Sequence, residues 1–168
     1  MIPGASDGFF TLNLQAGRLE YFKLPPIKGQ YETGFGARGL SRSPTGNWTI
    51  ASPFGLFEYD PIRQKMRPIP LPKTMQSYSF RGAAWDQHKQ LWLGTENHGL
   101  LKWNSVTNDW TQFKDELEPG QPSLPTGKVE RLLVDKNDNV WLQREGGFST
   151  YHAQRDTFYN FLWTQDST

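Results

Sequence analysis

Hydrophobic and polar residues alternate along this chain in short stretches separated by turns, and the clearest stretch covers residues 91–104. Its pattern predicts a strand, a tight connection at a glycine, and a second strand. The same pattern occurs upstream at residues 47–60 and downstream at residues 140–152. Internal repeats decide the interpretation of a whole fold, so a repeated unit is the first hypothesis.

The repeat is anchored by tryptophans that recur at intervals of 44 and 49 residues. A glycine follows each tryptophan after 7, 7 and 6 residues, and a further aromatic residue follows after 11, 11 and 10. Large rings at a regular position are more typical of packing than of binding. We therefore interpret one set of residues as the structural core of the repeat: Trp48, Trp92, Trp141, Gly55, Gly99 and Gly147.

Each repeat contains four short strand patterns joined by polar turns. Four strands in a unit of about 40–50 residues are typical of a propeller blade. The predicted fold is therefore all-β, a partial β-propeller of four-stranded antiparallel blades, with the strands running from the axis outward. We expect about three and a half blades: a half blade at 1–28, blades at 29–72, 73–118 and 119–163, and a tail at 164–168.

The first residues match only the second half of a repeat. Residues 8–13 align with a third strand and residues 19–22 with a fourth, so the first two strands of this blade are missing from the prediction. A partial ring exposes an apolar face at each end. We therefore expect these ends to be covered by missing propeller blades or by a second copy of the chain.

Composition removes several classes of function. The formal net charge is +1, which gives no electrostatic footprint for nucleic acid and no polybasic patch for a membrane surface. There are no cysteines, which excludes disulfides and thiolate metal sites. No segment is long and apolar enough to span a bilayer. The amino terminus has no signal-peptide pattern, so for an exported protein we expect an export signal upstream of Met1.

The repeats resemble a known family. Residues 84–95 followed by Gly99-Leu100 closely match the two-component regulator propeller repeat, which has an acidic residue, a polar turn, Leu-Trp-Leu-Gly-Thr and then Gly-Leu. Residues 55–61 and 133–142 match parts of the same pattern, whereas Ala51-Ser52 and Gln143-Arg144 replace its Gly-Thr. The resemblance implies a periplasmic or extracytoplasmic sensor segment of a hybrid two-component system, with a carbohydrate as the expected ligand.

The histidines and aspartates, which could act in catalysis or metal binding, are either scattered along the chain or have a structural role in hairpin turns. The three histidines occupy different repeat positions and form no metal-binding motif. Asp86 and Asp135 share the position ahead of a hairpin turn, where an aspartate can hydrogen-bond the turn backbone. No nucleophile elbow, P-loop or dinucleotide fingerprint is present. We expect no enzyme activity, no metal and no cofactor.

The candidate binding residues lie where the repeats differ, at the start of the first strand. Aligned on the tryptophans, these positions place three arginines near the axis, with tyrosines from the preceding connections: Arg38, Arg81, Arg131, Tyr31 and Tyr78. Arginines beside aromatic rings can hold the carboxylates or sulfates of an acidic glycan. The alternative is that these arginines form ion pairs with Glu32 or Glu130, or face solvent.

The sequence therefore predicts a non-catalytic, ligand-sensing propeller segment of a two-component-type receptor, with a small glycan as the expected ligand. One alternative is a protein-interaction scaffold or a self-assembling partial propeller. A further alternative is a fragment of a propeller-fold glycan hydrolase or lyase whose catalytic residues lie in other blades.

Overall fold

The computed structural model describes residues 8–23, 36–113, 124, 128–144 and 146–162, together with the backbone of residues 2–5. The described residues form one three-stranded sheet and three four-stranded sheets. The first sheet contains β1 (Ile2–Ala5), β2 (Gly8–Asn13) and β3 (Arg18–Lys23). Blade 1 contains β4 (Gly39–Arg42), β5 (Trp48–Ser52), β6 (Gly55–Asp60) and β7 (Lys65–Pro68).

The remaining two sheets repeat the plan of blade 1. Blade 2 contains β8 (Phe80–Trp85), β9 (Gln90–Thr95), β10 (Leu100–Asn104) and β11 (Trp110–Phe113). Blade 3 contains β12 (Val129–Val134), β13 (Val140–Arg144), β14 (Gly147–His152) and β15 (Thr157–Leu162). Single 3₁₀ turns occur at Lys73–Met75 and Ala153–Arg155.

Each sheet is an antiparallel meander in which neighbours in sequence are neighbours in space. The first strands β4, β8 and β12 lie next to one another across the blade boundaries. The first strand of each blade is therefore the innermost one, and the fourth lies at the periphery. This arrangement confirms the predicted fold, a partial β-propeller of four-stranded antiparallel blades.

The first sheet differs from the prediction by one strand. The sequence pattern indicated only a third and a fourth strand here, at residues 8–13 and 19–22. The backbone of Ile2–Ala5 adds a further strand, which pairs antiparallel with Gly8–Asn13. The alternating pattern did not reveal it because this strand is short and contains Pro3 and Gly4.

Strand register also corrects the alignment of the tryptophans. Trp48 pairs with Arg42, as Leu91 pairs with Trp85. Trp48 is therefore equivalent to Leu91, and the residue equivalent to Trp92 is Thr49. The expectation that Trp48 shares the position of Trp92 and Trp141 is wrong by one residue. The shift changes which side chains face the neighbouring blade, because successive residues of a strand point to opposite faces.

The hydrophobic core lies between the sheets in three clusters. Phe9 of the first sheet packs on blade 1, where it meets Tyr59 with a ring-centroid distance of 5.3 Å. The second cluster, which includes Leu93 and Phe80, packs blade 1 on blade 2. The third packs blade 2 on blade 3 and contains Trp92, which is 2% exposed. Each blade therefore depends on its neighbours to bury its faces.

Small residues near the axis let neighbouring blades approach closely. A Cβ atom added to Gly94 would lie 2.6 Å from the carbonyl oxygen of Val129 in the next blade. At Gly99 the backbone conformation requires glycine, because φ is +68° in the turn between the second and third strands. This turn is closed by the hydroxyl of Thr95, which accepts from His98 N and donates to Gly99 O.

Within the described residues, no helix has the length and apolar character needed to cross a membrane.

Candidate functional site

Two arginines from neighbouring blades meet at one carboxylate near the inner strands. Arg81 donates a hydrogen bond from Nε to Oε2 of Glu96, and Arg38 Nη1 lies 3.5 Å from the same oxygen. The three side chains, called here the arginine cluster, are between 22% and 30% exposed. The cluster is therefore half-buried and open to solvent on one side.

Strand geometry explains how the cluster forms. Arg81 is the extra residue of a β-bulge between Phe80 and Gly82 at the start of β8. Bulges redirect a side chain out of the regular alternation of a strand. Arg38 occupies the equivalent position just ahead of β4, where its N–H donates to Ala51 O at 2.9 Å. Glu96 follows β9 and is fixed by a bond from its own N–H to Ser79 O.

The equivalent position of blade 3 carries the opposite charge. Glu130 is the bulged residue between Val129 and Arg131, and it pairs with Lys128 through an Nζ–Oε1 distance of 2.7 Å. The hydrogen bond and charge of Lys128 lower the pKa of Glu130, with smaller contributions from Arg81 and Arg131. The inner strands thus bring two arginines and one glutamate to the same level of three successive blades.

Electrostatics within the arginine cluster favour an anion. The hydrogen bond from Arg81 lowers the pKa of Glu96 against the opposing effect of burial, and the charges of Lys128 and Arg38 add to this. Burial and the nearby charge of Arg81 lower the pKa of Arg38. Two guanidinium groups share one carboxylate, so the three side chains carry a net charge of +1.

The predicted tyrosines have different outcomes. Tyr78 stacks on His98 with a ring-centroid distance of 3.6 Å and an interplanar angle of 16°. It follows the connection into β8, three residues before Arg81, as the sequence predicts. Its ring also packs against the hydrophobic cluster between blade 1 and blade 2, so Tyr78 is partly buried. Tyr31 lies outside the described residues.

Arg131 is not part of the arginine cluster. Its register partner is Gln143, and the equivalent residues of the two preceding blades are Gly39 and Gly82. The expectation that Arg131 shares a position with Arg38 came from the tryptophan alignment and fails for the same reason. Arg131 is exposed on the face of blade 3 that points away from blade 2.

The aspartates ahead of the hairpin turns have the role that their position predicts. Oδ1 of Asp135 accepts the backbone N–H groups of Asn137 and Asn139 at 2.8 and 3.0 Å. Oδ2 accepts the indole N–H of Trp141 at 3.1 Å. Burial alone would raise the pKa of Asp135, but these donors and the Asn139 amide outweigh it and hold the pKa at about 2. Asp86 makes the equivalent contacts with Trp92.

The histidines are dispersed in the structure as in the sequence. His88 lies in a turn with Nε2 3.2 Å from Oδ2 of Asp138. Nδ1 of His98 and of His152 are buried and have no hydrogen-bond partner in the part of the chain that the structure describes. Among residues 8–23, 36–113, 124, 128–144 and 146–162, no three side chains of His, Asp or Glu come close enough to hold a metal ion.

Sequence reasoning missed Glu96 and Thr49. Glu96 directly follows the Leu-Trp-Leu-Gly-Thr part of the motif, and its contacts with Arg38 and Arg81 span 58 and 15 residues of sequence. Thr49 was missed because alignment of the repeats on their tryptophans put Trp48 at the position that Thr49 occupies. A sequence signal for it exists, because Ser43 precedes Thr49 by the same six residues that separate Asp86 from Trp92.

Comparison with known proteins gives one similar curated sequence. The chain is 26% identical over 97 residues to "Histidine kinase P4" of Formosa agariphila. The match covers 55% of this chain but only 7% of that protein. No protein-family model matches the chain.

Solved structures show where the same fold occurs. The extracellular domain of BT4673 from B. thetaiotaomicron, described as a hybrid two component system, superposes with a TM-score of 0.68 at 21% identity, over 95% of this chain and 20% of that one. Virginiamycin B lyase from Staphylococcus aureus superposes with a TM-score of 0.68 at 13% identity, over 96% of this chain and 50% of the lyase. The chain is thus a partial propeller with the fold of an extracellular two-component domain, as its repeats predict.

Proposed function

We propose that this chain is part of the ligand-sensing, extracytoplasmic propeller of a two-component-type signalling receptor and that it is not itself catalytic. Support comes from the repeat motif, from the similarity to a histidine kinase, and from the fold shared with an extracellular domain of a hybrid two component system. The fold does not decide this alone, because virginiamycin B lyase has it too.

The observation that carries the sensing role is the arginine cluster. Guanidinium groups from two adjacent blades converge on a single carboxylate, and Arg81 and Arg38 are only 22% and 29% exposed. Partial burial reduces solvent screening, so a ligand anion would interact with these charges more strongly than with arginines on an open surface. Planar guanidinium groups can bind a carboxylate or sulfate through two parallel hydrogen bonds.

The proposed ligand is an acidic sugar whose anionic group approaches Arg38 and Arg81. Tyr78, three residues before Arg81, is partly exposed, and the accessible part of its ring offers a surface for the sugar. Glu96 competes with the ligand for the same two cations and thereby limits the affinity. Because Arg38 and Arg81 belong to different blades, a bound anion would also bridge the boundary between blade 1 and blade 2.

Bridging suggests how binding could be transmitted. A ligand that contacts both arginines has the highest affinity for the spacing of blades 1 and 2 at which both guanidinium groups reach it. Such a difference in affinity between two arrangements is what allows a ligand to shift the equilibrium between them. The readout is a change in the packing of adjacent blades.

Binding of a hexuronic-acid oligosaccharide to the full chain, measured by isothermal titration calorimetry, tests the site. We expect the double variant Arg38→Gln/Arg81→Gln to bind at least about tenfold more weakly, as loss of charge-assisted hydrogen bonds implies. Glu96→Gln should bind as well as the original chain or better. Arg63→Gln is the matched control, because Arg63 is 77% exposed and pairs with Asp60 at the outside of blade 1.

Unchanged affinity of the double arginine variant would overturn the site. The signalling role is tested separately by the coding region of the gene. A membrane-spanning segment and a kinase domain downstream of this segment are expected, and a coding region that carries catalytic modules without either would contradict the proposed role.

A further inference from the structure

A groove of about 550 Å³ lies between blade 1 and blade 2, outside the arginine cluster. Cavities of roughly 300–1,000 Å³ are the usual size of small-molecule sites. The lining residues that the structure describes all fall within the continuous range 36–113. Its described walls therefore belong to blade 1 and blade 2.

One wall of the groove is a polar row across blade 1. The register pairs Thr49 with Glu58, and Glu58 with Arg67, so the three side chains share one face of the sheet. Arg67 Nε donates to Oε2 of Glu58 at 2.6 Å, and Nη2 of Arg67 contacts the same oxygen.

The opposite wall is an aromatic row across blade 2. Trp85 pairs with Leu91, Leu91 with Trp103, and Trp103 with Trp110. Trp103 stacks on Trp110 with centroids 5.6 Å apart and is tilted by 58° from Trp85. Both groove-lining indole N–H groups already have partners, Thr49 for Trp85 and Asn108 for Trp103. A ligand would therefore meet ring carbon atoms and not indole N–H groups, at the part of the Trp103 ring that Trp110 and Trp85 leave open.

The groove lies where the repeat differs at two linked positions. At the next boundary, Trp92 fills the space between blade 2 and blade 3, 5.1 Å from Tyr151 and held by Asp86. In blade 1 the equivalent residue is Thr49, and Ser43 stands at the position of Asp86. Both members of the Asp–Trp pair are replaced together, which leaves a space where the other boundary is filled.

The chemistry of the walls matches a neutral sugar ring. The C–H groups on one face of a pyranose carry slight positive charge and pack on the negative face of an indole. Hydroxyl groups both donate and accept, and the paired Glu58 and Arg67 offer a carboxylate oxygen and guanidinium N–H groups at once. These two charges are matched, and Lys89, the third charged residue of the described lining, is exposed to solvent, so the groove gives an ionic ligand little net attraction.

We infer that the inter-blade groove binds a neutral pyranose ring between Trp103 and the Glu58–Arg67 pair. The site is separate from the arginine cluster and does not depend on the proposed sensing role. Either site can therefore fail without the other.

Titration of the full chain with glucose, galactose, mannose and glucuronate, followed by tryptophan fluorescence and calorimetry, tests the inference. At least one neutral hexose should change the fluorescence saturably. Glucuronate, titrated into Arg38→Gln/Arg81→Gln so that the arginine cluster does not contribute, should bind no more tightly than that hexose. Thr49→Trp should abolish binding, because it restores at this boundary the ring that fills the next one. Thr111→Trp is the control, since it adds the same ring at an exposed position that does not line the groove.

Two further variants keep the test decisive should Thr49→Trp destabilise the chain. Trp103→Leu should weaken binding at least tenfold through loss of the ring face, and Glu58→Gln should weaken it through loss of the carboxylate oxygen. Arg38→Gln/Arg81→Gln should leave it unchanged. Absence of binding by the three neutral hexoses, tighter binding of glucuronate to Arg38→Gln/Arg81→Gln, or full binding by Thr49→Trp would each overturn the inference.

Discussion

The indole Nε1 of Trp92 donates a hydrogen bond of 2.8 Å to Oδ2 of Asp86, six residues earlier in the same blade. Oδ1 of Asp86 accepts the backbone N–H groups of His88 and Gln90 at 2.9 and 2.8 Å. One carboxylate therefore closes the hairpin turn and orients the ring that fills the boundary with blade 3. Asp135 and Trp141 repeat the arrangement at 3.1 Å, but Trp141 is 40% exposed, whereas Trp92 is 2% exposed.

This difference predicts unequal costs for the same substitution. Asp86→Ala leaves a buried indole N–H without an acceptor and should lower the free energy of unfolding by about 1–3 kcal/mol. Asp135→Ala loses similar turn contacts, but water can reach Trp141, so its cost should be smaller. Urea unfolding of both variants checks this, and equal losses would show that burial of the indole N–H does not set the cost.

Asp135 also predicts a specific dependence of stability on pH. Its pKa is about 2 in the folded chain, below the ordinary value of 3.8, so the ionised form stabilises the fold. This contribution is fully present above the ordinary pKa and is lost as the pH falls through the folded pKa. Relative to Asp135→Asn, the original chain should lose its advantage between about pH 4 and pH 2.

Subtraction of the Asp135→Asn curve removes the contributions of the other carboxylates. Unfolding free energies at pH 5, 4, 3 and 2 give the difference directly. A difference that stays constant over this range would contradict the role of the Asp135 carboxylate.

The fold was predictable because its determinants are local. Alternation within strands, the turn residues around Asp86 and Asp135, and the glycine at Gly99 all act over fewer than fifteen residues. The repetition of these signals then implied a propeller without any knowledge of long-range contacts. The strand at Ile2–Ala5 was missed because a four-residue strand with a proline and a glycine has too little pattern to recognise.

The candidate site was only partly predictable, because it depends on register and on contacts between blades. The sequence indicated Arg38 and Arg81, but not that both reach Glu96 from different strands. A one-residue error at Trp48 was enough to group Arg131 with them and to hide Thr49. A comparison anchored on the turn residues Ser43, Asp86 and Asp135 would have avoided that error, since backbone hydrogen bonds fix the turns.

The close approach of blades near the axis predicts different outcomes for two glycines of blade 2. An alanine Cβ at Gly94 would lie 2.6 Å from Val129 O, whereas at Gly82 its nearest neighbours would be 3.4 Å away. Gly94→Ala should therefore destabilise the chain by about 1–3 kcal/mol through overpacking, and Gly82→Ala should change stability by less than about 1 kcal/mol. Denaturant midpoints of the two variants test this. Equal midpoints would show that the blades can separate at no cost.

The outward face of blade 3 predicts binding of an apolar dye. Leu133 is 57% exposed and Phe161 is 46% exposed, and Trp141 lies beside Leu133 in register. Apolar groups at this density on one sheet face are typical of a surface that packs against another element. We expect the chain to bind anilinonaphthalene sulfonate in its folded state and to associate at high concentration, consistent with a second copy or further blades as the covering partner.

Leu133→Glu/Phe161→Glu should lower both the dye fluorescence and the scattering mass at high concentration. Gln143→Glu is the matched control, because Gln143 lies on the same face and is already polar and exposed. If both the double variant and Gln143→Glu keep the full dye signal of the original chain, the prediction for blade 3 is wrong. The dye must then bind the open face of the first sheet. There, Leu12 and Leu19 are 43% and 58% exposed on the first sheet. Glutamate substitutions at those two leucines would then be expected to remove the signal.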